Sequence, residues 1–290
     1  MPSAGSFDLP QHPDGLRFPH TSQIVVTSVM GALVLVFACY AVREIVRHRS
    51  YLLALLLVGG GISYLNEPID DVLGCLYHPV DGQWTVLDTF AKVPLWGLGI
   101  YIVFFGGMPY LILKALDRGV TRRQLWQWVG ILFVVDVAVE IPILARDMYV
   151  YYADPPFDLA GFPLYWLFIN VGGPFEVAVL LYAARHLFTG WRAAYLLALP
   201  MVCNAAGSIA VGWPIYSALN AQASEPVKWV AGAATIALGY LLLDLTITWA
   251  ARKSGQAEPD RDVAYSVFQT TSVAASSSSS ASSLSALSTN

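Results

Sequence analysis

Charged side chains are scarce in this sequence of 290 residues, in which Asp, Glu, Lys and Arg together make up 12%. A typical soluble domain has about 25%. So few charges cannot cover a globule of this size with solvated groups, which argues against a water-soluble enzyme. The net charge of −4 gives no electrostatic basis for binding nucleic acid.

Residue patterns that bind metals or cofactors are also missing. Cys39, Cys75 and Cys203 are too far apart for a metal motif or a disulfide framework, and we expect them in the core. His78 and the other four histidines fall in loops, at helix ends or before the first apolar segment, and none is paired as metal ligands would be. No Gly-rich phosphate loop occurs. The sequence therefore predicts no cofactor and no metal.

Long apolar runs, in contrast, are abundant. A hydrocarbon core about 30 Å thick is crossed by a helix of about 20 apolar residues. Seven segments meet this requirement: 22–46, 51–73, 94–116, 124–145, 160–184, 192–214 and 228–251. The sequence thus predicts an all-α fold, a bundle of seven transmembrane helices over residues 22–251, preceded by a polar segment over residues 1–21. We expect a multi-pass protein of a bacterial cell membrane.

The basic residues predict the topology. Twelve of the sixteen Lys and Arg residues lie in or at the edges of the connections that follow the first, third, fifth and seventh segments. The positive-inside rule then places the N-terminus outside and the C-terminus in the cytoplasm. Residues 252–290 are predicted to be a disordered cytoplasmic tail, because ten of the last twenty residues are serine.

Seven carboxylates lie within the apolar segments, with no Lys or Arg at mid-span to pair with them. They are Glu67, Asp70, Asp71, Asp136, Glu140, Glu176 and Asp244. Each ionised acid at bilayer depth costs at least about 2.5–3.5 kcal/mol. We therefore expect several of them to be neutral and to face one pocket that opens outward. In the alternative interpretation, Asp70 and Asp71 lie at the water boundary, and other acids bond carbonyls freed by nearby prolines.

Spacing and aromatic content support a pocket. Glu67 and Asp71 are four residues apart, as are Asp136 and Glu140, so each pair lies on one helix face. Asn170 is expected near mid-depth. Ring faces near the acids stabilise a cation by about 0.5–2 kcal/mol each. The expected pocket aromatics are Tyr64, Trp96, Tyr151, Trp166 and Tyr240.

Three further segments carry structural signals. The stretch Phe105-Gly106-Gly107-Met108-Pro109-Tyr110 predicts a kink or a close helix contact in the third segment. The loops 74–93 and 146–160 are rich in aromatic residues and proline, which is typical of segments that lie on a membrane surface or cap a cavity.

Neutral acids beside aromatic rings inside a membrane suit the protonation of an isoprenoid alkene or epoxide. A seven-span chain of this size, with Asn66-Glu67-Pro68 in span two and Leu243-Asp244-Leu245 in the last span, resembles the small membrane-embedded terpene cyclases of fungal meroterpenoid and bacterial indole-sesquiterpenoid pathways. The resemblance implies that Glu67 and Asp244 are the catalytic acids. Glu140 and Glu176 are the next candidates, and Asp71, Asp136 and Asn170 are expected to contact a lipophilic isoprenoid substrate.

Other functions remain open. Glu140, the Tyr149-Val-Tyr151 loop and Gly161-Phe-Pro163-Leu-Tyr-Trp166 resemble the carotenoid hydratases, which add water to an isoprenoid double bond. A proton-coupled small-molecule transporter also needs buried acids. A retinal protein is excluded, because Lys228 and Lys253 lie at the ends of the last segment. The only other expected partner is membrane lipid, and the oligomeric state is left open.

Overall fold

The computed structural model describes residues 9–256, which are mostly helical. The first eight residues of the predicted polar segment and residues 257–290 of the predicted tail lie outside the described residues. The helices are α1 (His20–His48), α2 (Leu52–Ser63), α3 (Glu67–Gly74), α4 (Leu95–Tyr101), α5 (Met108–Asp117), α6 (Arg122–Leu144), α7 (Trp166–Ala184), α8 (Leu199–Asn220) and α9 (Glu225–Gln256). Shorter turns of 3-10 helix are Tyr64–Asn66, Arg185–Leu187 and Gly190–Leu197, and Ile102–Gly107 is a π-helix.

Within the described residues, six helical segments are long and apolar enough to cross a membrane. A seventh results if Gly190–Leu197 and α8, which are bent by 43°, form one span. These segments overlap the seven apolar runs of the sequence, and the all-α fold class is confirmed. Helix α9 continues to Gln256, so residues 252–256 of the predicted tail are helical.

Proline positions explain two breaks in the segments. Proline has no N–H and is tolerated in the first turn of a helix. Pro68 lies in the first turn of α3, directly after the 3-10 turn Tyr64–Asn66, and Pro200 lies in the first turn of α8. Because α3 restarts after this tightened turn, Glu67 stands at the beginning of a new helix.

Helix α2 crosses the π-helix Ile102–Gly107 at very short range. A Cβ atom on Gly106 would lie 2.6 Å from the carbonyl oxygen of Leu56, and a Cβ on Gly60 would lie 2.7 Å from the nitrogen of Gly106. Pro109 lacks the N–H that would bond the carbonyl of Phe105, and the helix widens just before it. The predicted close helix contact is therefore present.

Three short antiparallel strand pairs organise the loops of the described region. The strands are β1 (Leu76–Tyr77), β2 (Thr85–Asp88), β3 (Lys92–Pro94), β4 (Val150–Tyr151), β5 (Asp158–Leu159) and β6 (Phe162–Pro163). Strand β2 pairs with β3, and β5 pairs with β6. Strand β1 pairs with β4, with Leu76 opposite Tyr151. This last pairing joins two loops that are far apart in the sequence and brings both over the same end of the helices.

Lys228 fastens the second of these loops to α9. Its side chain is buried, and its Nζ donates to the carbonyl oxygen of Ala153 at 2.8 Å and to Glu225 Oε1 at 3.0 Å. A buried acceptor that loses its donor costs about 1–3 kcal/mol. The ammonium group thus holds residues 146–160 in place.

We expect Lys228→Met to loosen this loop while retaining the packing of the aliphatic stem. If the free energy that holds the loop closed falls by about 1–2 kcal/mol, the equilibrium constant for opening of the loop rises roughly 5–30-fold. Limited digestion with chymotrypsin should therefore cut within residues 146–160 at least about fivefold faster. Lys253→Met, at the exposed far end of α9, is the matched control. Equal cleavage of Lys228→Met and the native chain would contradict the anchoring role.

Candidate active site

A cavity of about 180 Å³ lies between α3, α4, the π-helix, α6, α7 and α8. Its polar lining consists of Glu67, Asp70, Asp71, His78, Asp136, Glu140, Asn170, Asn204 and Ser208. Its aromatic lining consists of Trp96, Tyr101, Phe104, Phe105, Tyr149, Tyr151 and Trp166. Five of the seven carboxylates noted in the sequence thus converge on one space that is otherwise largely aromatic and aliphatic.

Helix α3 contributes three of these carboxylates. Glu67 Oε2 accepts a hydrogen bond from the Tyr101 hydroxyl at 2.6 Å, and Asp70 Oδ1 accepts one from Ser208 Oγ at 3.0 Å. Asp70 and Asp71 are 7% and 3% exposed. Both acids are therefore buried in the bundle, and the alternative interpretation that placed them at a water boundary is wrong.

His78 meets the same carboxylates from the loop after β1. Its Nε2 lies 3.6 Å from Glu67 Oε1 and 3.7 Å from Asp71 Oδ1. The imidazole ring is flanked by Trp96 and Tyr149, with ring centroids 5.8 and 5.3 Å away. The expectation that no histidine is grouped with other ligand-type residues is wrong, because the β1–β4 pairing carries His78 over α3.

Helix α6 contributes a second acidic pair. Asp136 Oδ2 accepts a hydrogen bond from Asn170 Nδ2 at 3.2 Å. Glu140 Oε2 is buried and has no hydrogen-bond partner among the described residues. Of the cavity carboxylates, Glu140 therefore has an oxygen that is shielded from water yet free to meet a bound molecule.

Tyr151 belongs to the loop that covers the cavity, and it lines the same cavity as Glu140 of α6. Desolvation raises the pKa of Tyr151 well above its ordinary value, and Glu140 raises it further whenever its carboxyl group is ionised. The phenol is thus protonated at neutral pH and can donate a hydrogen bond. Its ring lies 5.9 Å from that of Trp166, which also lines the cavity.

The cavity opens through the side of the helix bundle. Met30 and Leu33 of α1 and Val135 of α6 lie on its lining, and Leu33 and Val135 are 40% and 47% exposed at mid-helix. At the loop end, in contrast, Tyr149 is buried. The paired loops lie over that end of the helices, and the outward direction of the opening stays a prediction.

Asp244 does not reach this cavity. Asp244 forms an ion pair with Arg122, and the Asp244 side chain is 29% exposed. Arg122 Nε also donates a hydrogen bond to Thr248 Oγ1 at 3.1 Å. Arg122 precedes the predicted apolar segment 124–145, but α6 already begins at this residue and packs against α9. The expectation that Asp244 and Glu67 face one cavity is therefore wrong, because a basic partner is available at the end of the neighbouring helix.

Three other predicted residues also lie outside the cavity lining. Glu176 packs between α7 and α8, where a Cβ on Gly207 would lie 2.8 Å from its Oε1. The Tyr64 hydroxyl donates to the carbonyl of Pro94 at 2.6 Å, and Tyr240 stacks on Trp126 at 5.4 Å on the half-exposed face of α9. The remaining predicted residues line the cavity: Glu67, Asp71, Trp96, Asp136, Glu140, Tyr151, Trp166 and Asn170.

Comparison of the chain with family models, with curated proteins and with solved structures finds no match. The cavity residues and their chemistry are therefore what indicates a function.

Proposed function

We propose that the protein is an integral membrane enzyme that protonates a lipophilic isoprenoid substrate and promotes its cyclisation. Membrane insertion is supported by the long apolar helices and by the exposed apolar residues on their outer faces, such as Leu35, Val134 and Val230, which are 63%, 69% and 71% exposed. The distribution of Lys and Arg supports an outside N-terminus and a cytoplasmic C-terminus.

Glu140 carries the chemical argument, because its buried Oε2 is unengaged within the described residues and lines a cavity walled by aromatic rings. The neutral carboxyl group transfers its proton to one carbon of an alkene, whose π electrons form the new C–H bond. The neighbouring carbon becomes cationic, and Glu140 becomes a carboxylate. With an epoxide, the proton goes to oxygen and a C–O bond breaks.

The rest of the cavity suits the cation that follows. Faces of Trp96, Phe105 and Trp166 can stabilise positive charge as a second alkene attacks and closes a ring. A carboxylate then removes a proton from the carbon next to the cation, which forms a new C=C bond and returns the proton to the protein. The net reaction is an isomerisation in which no atom is gained or lost.

The side opening supports a substrate that is dissolved in lipid. Leu33 and Val135 stand at the rim, where the outer faces of α1 and α6 would contact the acyl chains. A hydrophobic molecule can therefore enter from the bilayer without passing through water. Exclusion of water by the paired loops protects the cation from premature capture.

A hydratase is the second candidate, and the polar residues on α8 favour it. Asn204 Nδ2 is buried without a partner among the described residues, and Asn204 and Ser208 both line the cavity. Together they can hold a water molecule beside the cation. The first step is then the same, but the cation takes up water and the product retains its oxygen.

Product analysis in heavy water tests the proposal. The protein in lipid nanodiscs is supplied with plain and epoxidised prenylated aromatic compounds in D₂O, and the products are analysed by chromatography and mass spectrometry. A cyclase adds one solvent deuteron and loses one proton from carbon, whereas a hydratase adds one molecule of heavy water. A heat-inactivated sample is the control. Recovery of unchanged substrate, together with proton-linked uptake into proteoliposomes, would instead establish a transporter.

A further inference from the structure

We propose that Glu67, Asp71 and His78 form a binding site for a divalent transition metal ion of the zinc type. One potential ligand atom from each residue lies within 4.8 Å of the other two. Zn²⁺ binds nitrogen and oxygen ligands at about 2.0–2.2 Å in a tetrahedral arrangement, which sets adjacent ligand atoms about 3.4 Å apart. The observed separations of 3.6 and 3.7 Å from His78 Nε2 to the two carboxylates are close to this value.

The state of His78 is an independent indication of a ligand. The residue is 3% exposed, and neither of its ring nitrogens has a hydrogen-bond partner among the described residues. A buried polar group without a partner is costly, and such groups in native proteins are usually satisfied by water, an ion or another residue. Nε2 lies 3.6 and 3.7 Å from two carboxylate oxygens, and a cation between these three atoms would satisfy Nε2 and both oxygens. Nδ1 would keep the buried, unpartnered state that it has among the described residues.

Neighbouring side chains hold the three residues in this arrangement. The Tyr101 hydroxyl engages Glu67 Oε2, which leaves Oε1 directed at His78. Trp96 and Tyr149 pack on the imidazole ring. Groups that orient a ligand in this way are a regular feature of metal sites.

The backbone also brings the residues together. Glu67 and Asp71 lie one helical turn apart on α3, so their side chains share a face. Cys75 ends α3 in the left-handed conformation, with φ of 53°, and its N–H bonds the carbonyl of Asp71. The chain therefore reverses directly after α3, and this reversal brings His78 back to the carboxylates of Glu67 and Asp71.

The donor set indicates the class of metal. An imidazole nitrogen favours Zn²⁺, Fe²⁺ and similar ions, whereas Mg²⁺ prefers oxygen ligands in an octahedral shell that retains several waters. Two carboxylates neutralise a charge of +2, which matters in a site so far removed from water. We therefore expect Zn²⁺ to bind well and Mg²⁺ to bind weakly.

The location of the site indicates a role for the ion in the reaction, and this role rests on the proposed function. Glu67, Asp71 and His78 all line the cavity, and three protein ligands leave one position open. An epoxide, hydroxyl or carbonyl oxygen of the substrate can occupy that position and be polarised by the ion. Glu140, on a different helix, is then the proton donor.

Metal titration of the full-length protein tests the site. The protein, purified in nanodiscs with a tag that lacks histidine, is stripped with EDTA and titrated with Zn²⁺, Mn²⁺ or Mg²⁺, and bound metal is measured by calorimetry and elemental analysis. We expect one Zn²⁺ per chain and a raised Tm. His78→Ala and Glu67→Gln should each weaken binding by about 100-fold or more, because even the loss of an orienting residue costs 10–100-fold. The exposed His186 provides the control His186→Ala, which should bind as the native chain does.

Two results would overturn the metal site. The first is that the native protein binds no more Zn²⁺ than the His78→Ala variant. The second is that the native protein and all the variants bind Zn²⁺ equally well, which would indicate adventitious binding at the surface. Elution volume and circular dichroism establish that the variants are folded, and His78→Asn replaces His78→Ala if the latter is not. Product formation is measured separately. Conversion without metal binding would refute this site alone, and metal binding without conversion would refute the proposed reaction alone.

Discussion

Replacement of Glu140 by Gln should lower product formation by about 100-fold or more, the usual contribution of a general acid. The amide keeps the size and shape of the side chain but has no proton of suitable acidity to transfer. Glu140 Oε2 has no hydrogen-bond partner within the described residues, so no structural bond is broken there. The initial rate of product formation in nanodiscs is the quantity to measure.

Glu176→Gln is the matched control for this experiment. Glu176 is also a glutamate within an apolar segment, and its Oε1 is buried and unpartnered among the described residues, but it lies outside the cavity lining. We expect its rate to remain near that of the native protein. Equal rates for Glu140→Gln and the native chain, with an unchanged Tm, would remove Glu140 from the mechanism. Equal losses in both variants would show that any buried acid is required for folding rather than for chemistry.

Substitution of Gly106 by Val should prevent stable packing of α2 against the π-helix Ile102–Gly107. A Cβ at this position would lie 2.6 Å from the carbonyl oxygen of Leu56 and 2.8 Å from the Cα of Leu57. Both are backbone atoms, which cannot move aside as the end of a flexible side chain can. Overpacking of a core lowers the free energy of unfolding by about 1–3 kcal/mol. We expect a loss at the upper end of this range, because the branched valine side chain would collide with backbone atoms.

Thermal unfolding in detergent and the yield of monodisperse protein measure this effect. We expect Gly106→Val to lower both, and to lower product formation as well, because the same crossing positions Tyr101 and Phe105 at the cavity. Gly130→Val is the control, since a Cβ on Gly130 meets no atom within 4 Å. An unchanged Tm for Gly106→Val would show that the two segments are separated more widely than the structure indicates.

Properties that depend on neighbouring residues could be predicted from the sequence. The apolar runs predicted the long helices, because an uninterrupted stretch of apolar residues is a local signal. The four-residue spacing placed Glu67 with Asp71, and Asp136 with Glu140, because helical geometry relates residues one turn apart. The Gly106-Gly107 and Pro109 stretch likewise predicted the close contact with another helix.

His78 was missed as a site residue because nothing near it in the sequence marks it. Its position follows from the pairing of Leu76 with Tyr151, which are separated in the chain by two long apolar helical segments. The one available signal was that His78 lies in an aromatic, Pro-rich loop, and that Tyr149 and Tyr151 lie in another. Two such loops at the same end of a bundle can meet, but the sequence does not show which residues of one loop pair with which residues of the other.

Asp244 shows the opposite error, in which an acid was assigned to the cavity from its place within an apolar segment and from a family resemblance. Depth along a helix follows from residue number, whereas the direction of a side chain depends on how the helix is rotated against its neighbours. The packing of α9 on α6 turns Asp244 toward Arg122. Tyr240 is directed away from the cavity by the same packing and stacks on Trp126.

The long apolar helices and the acids one turn apart on them could be predicted from the order of neighbouring residues, because helix formation and helical spacing are local. The sharing of one cavity by five carboxylates, the approach of His78 to two of them and the position of Asp244 outside the cavity could not be predicted in this way. Those outcomes depend on helix rotation and on the pairing of distant loops, and both are set by contacts between residues far apart in the chain.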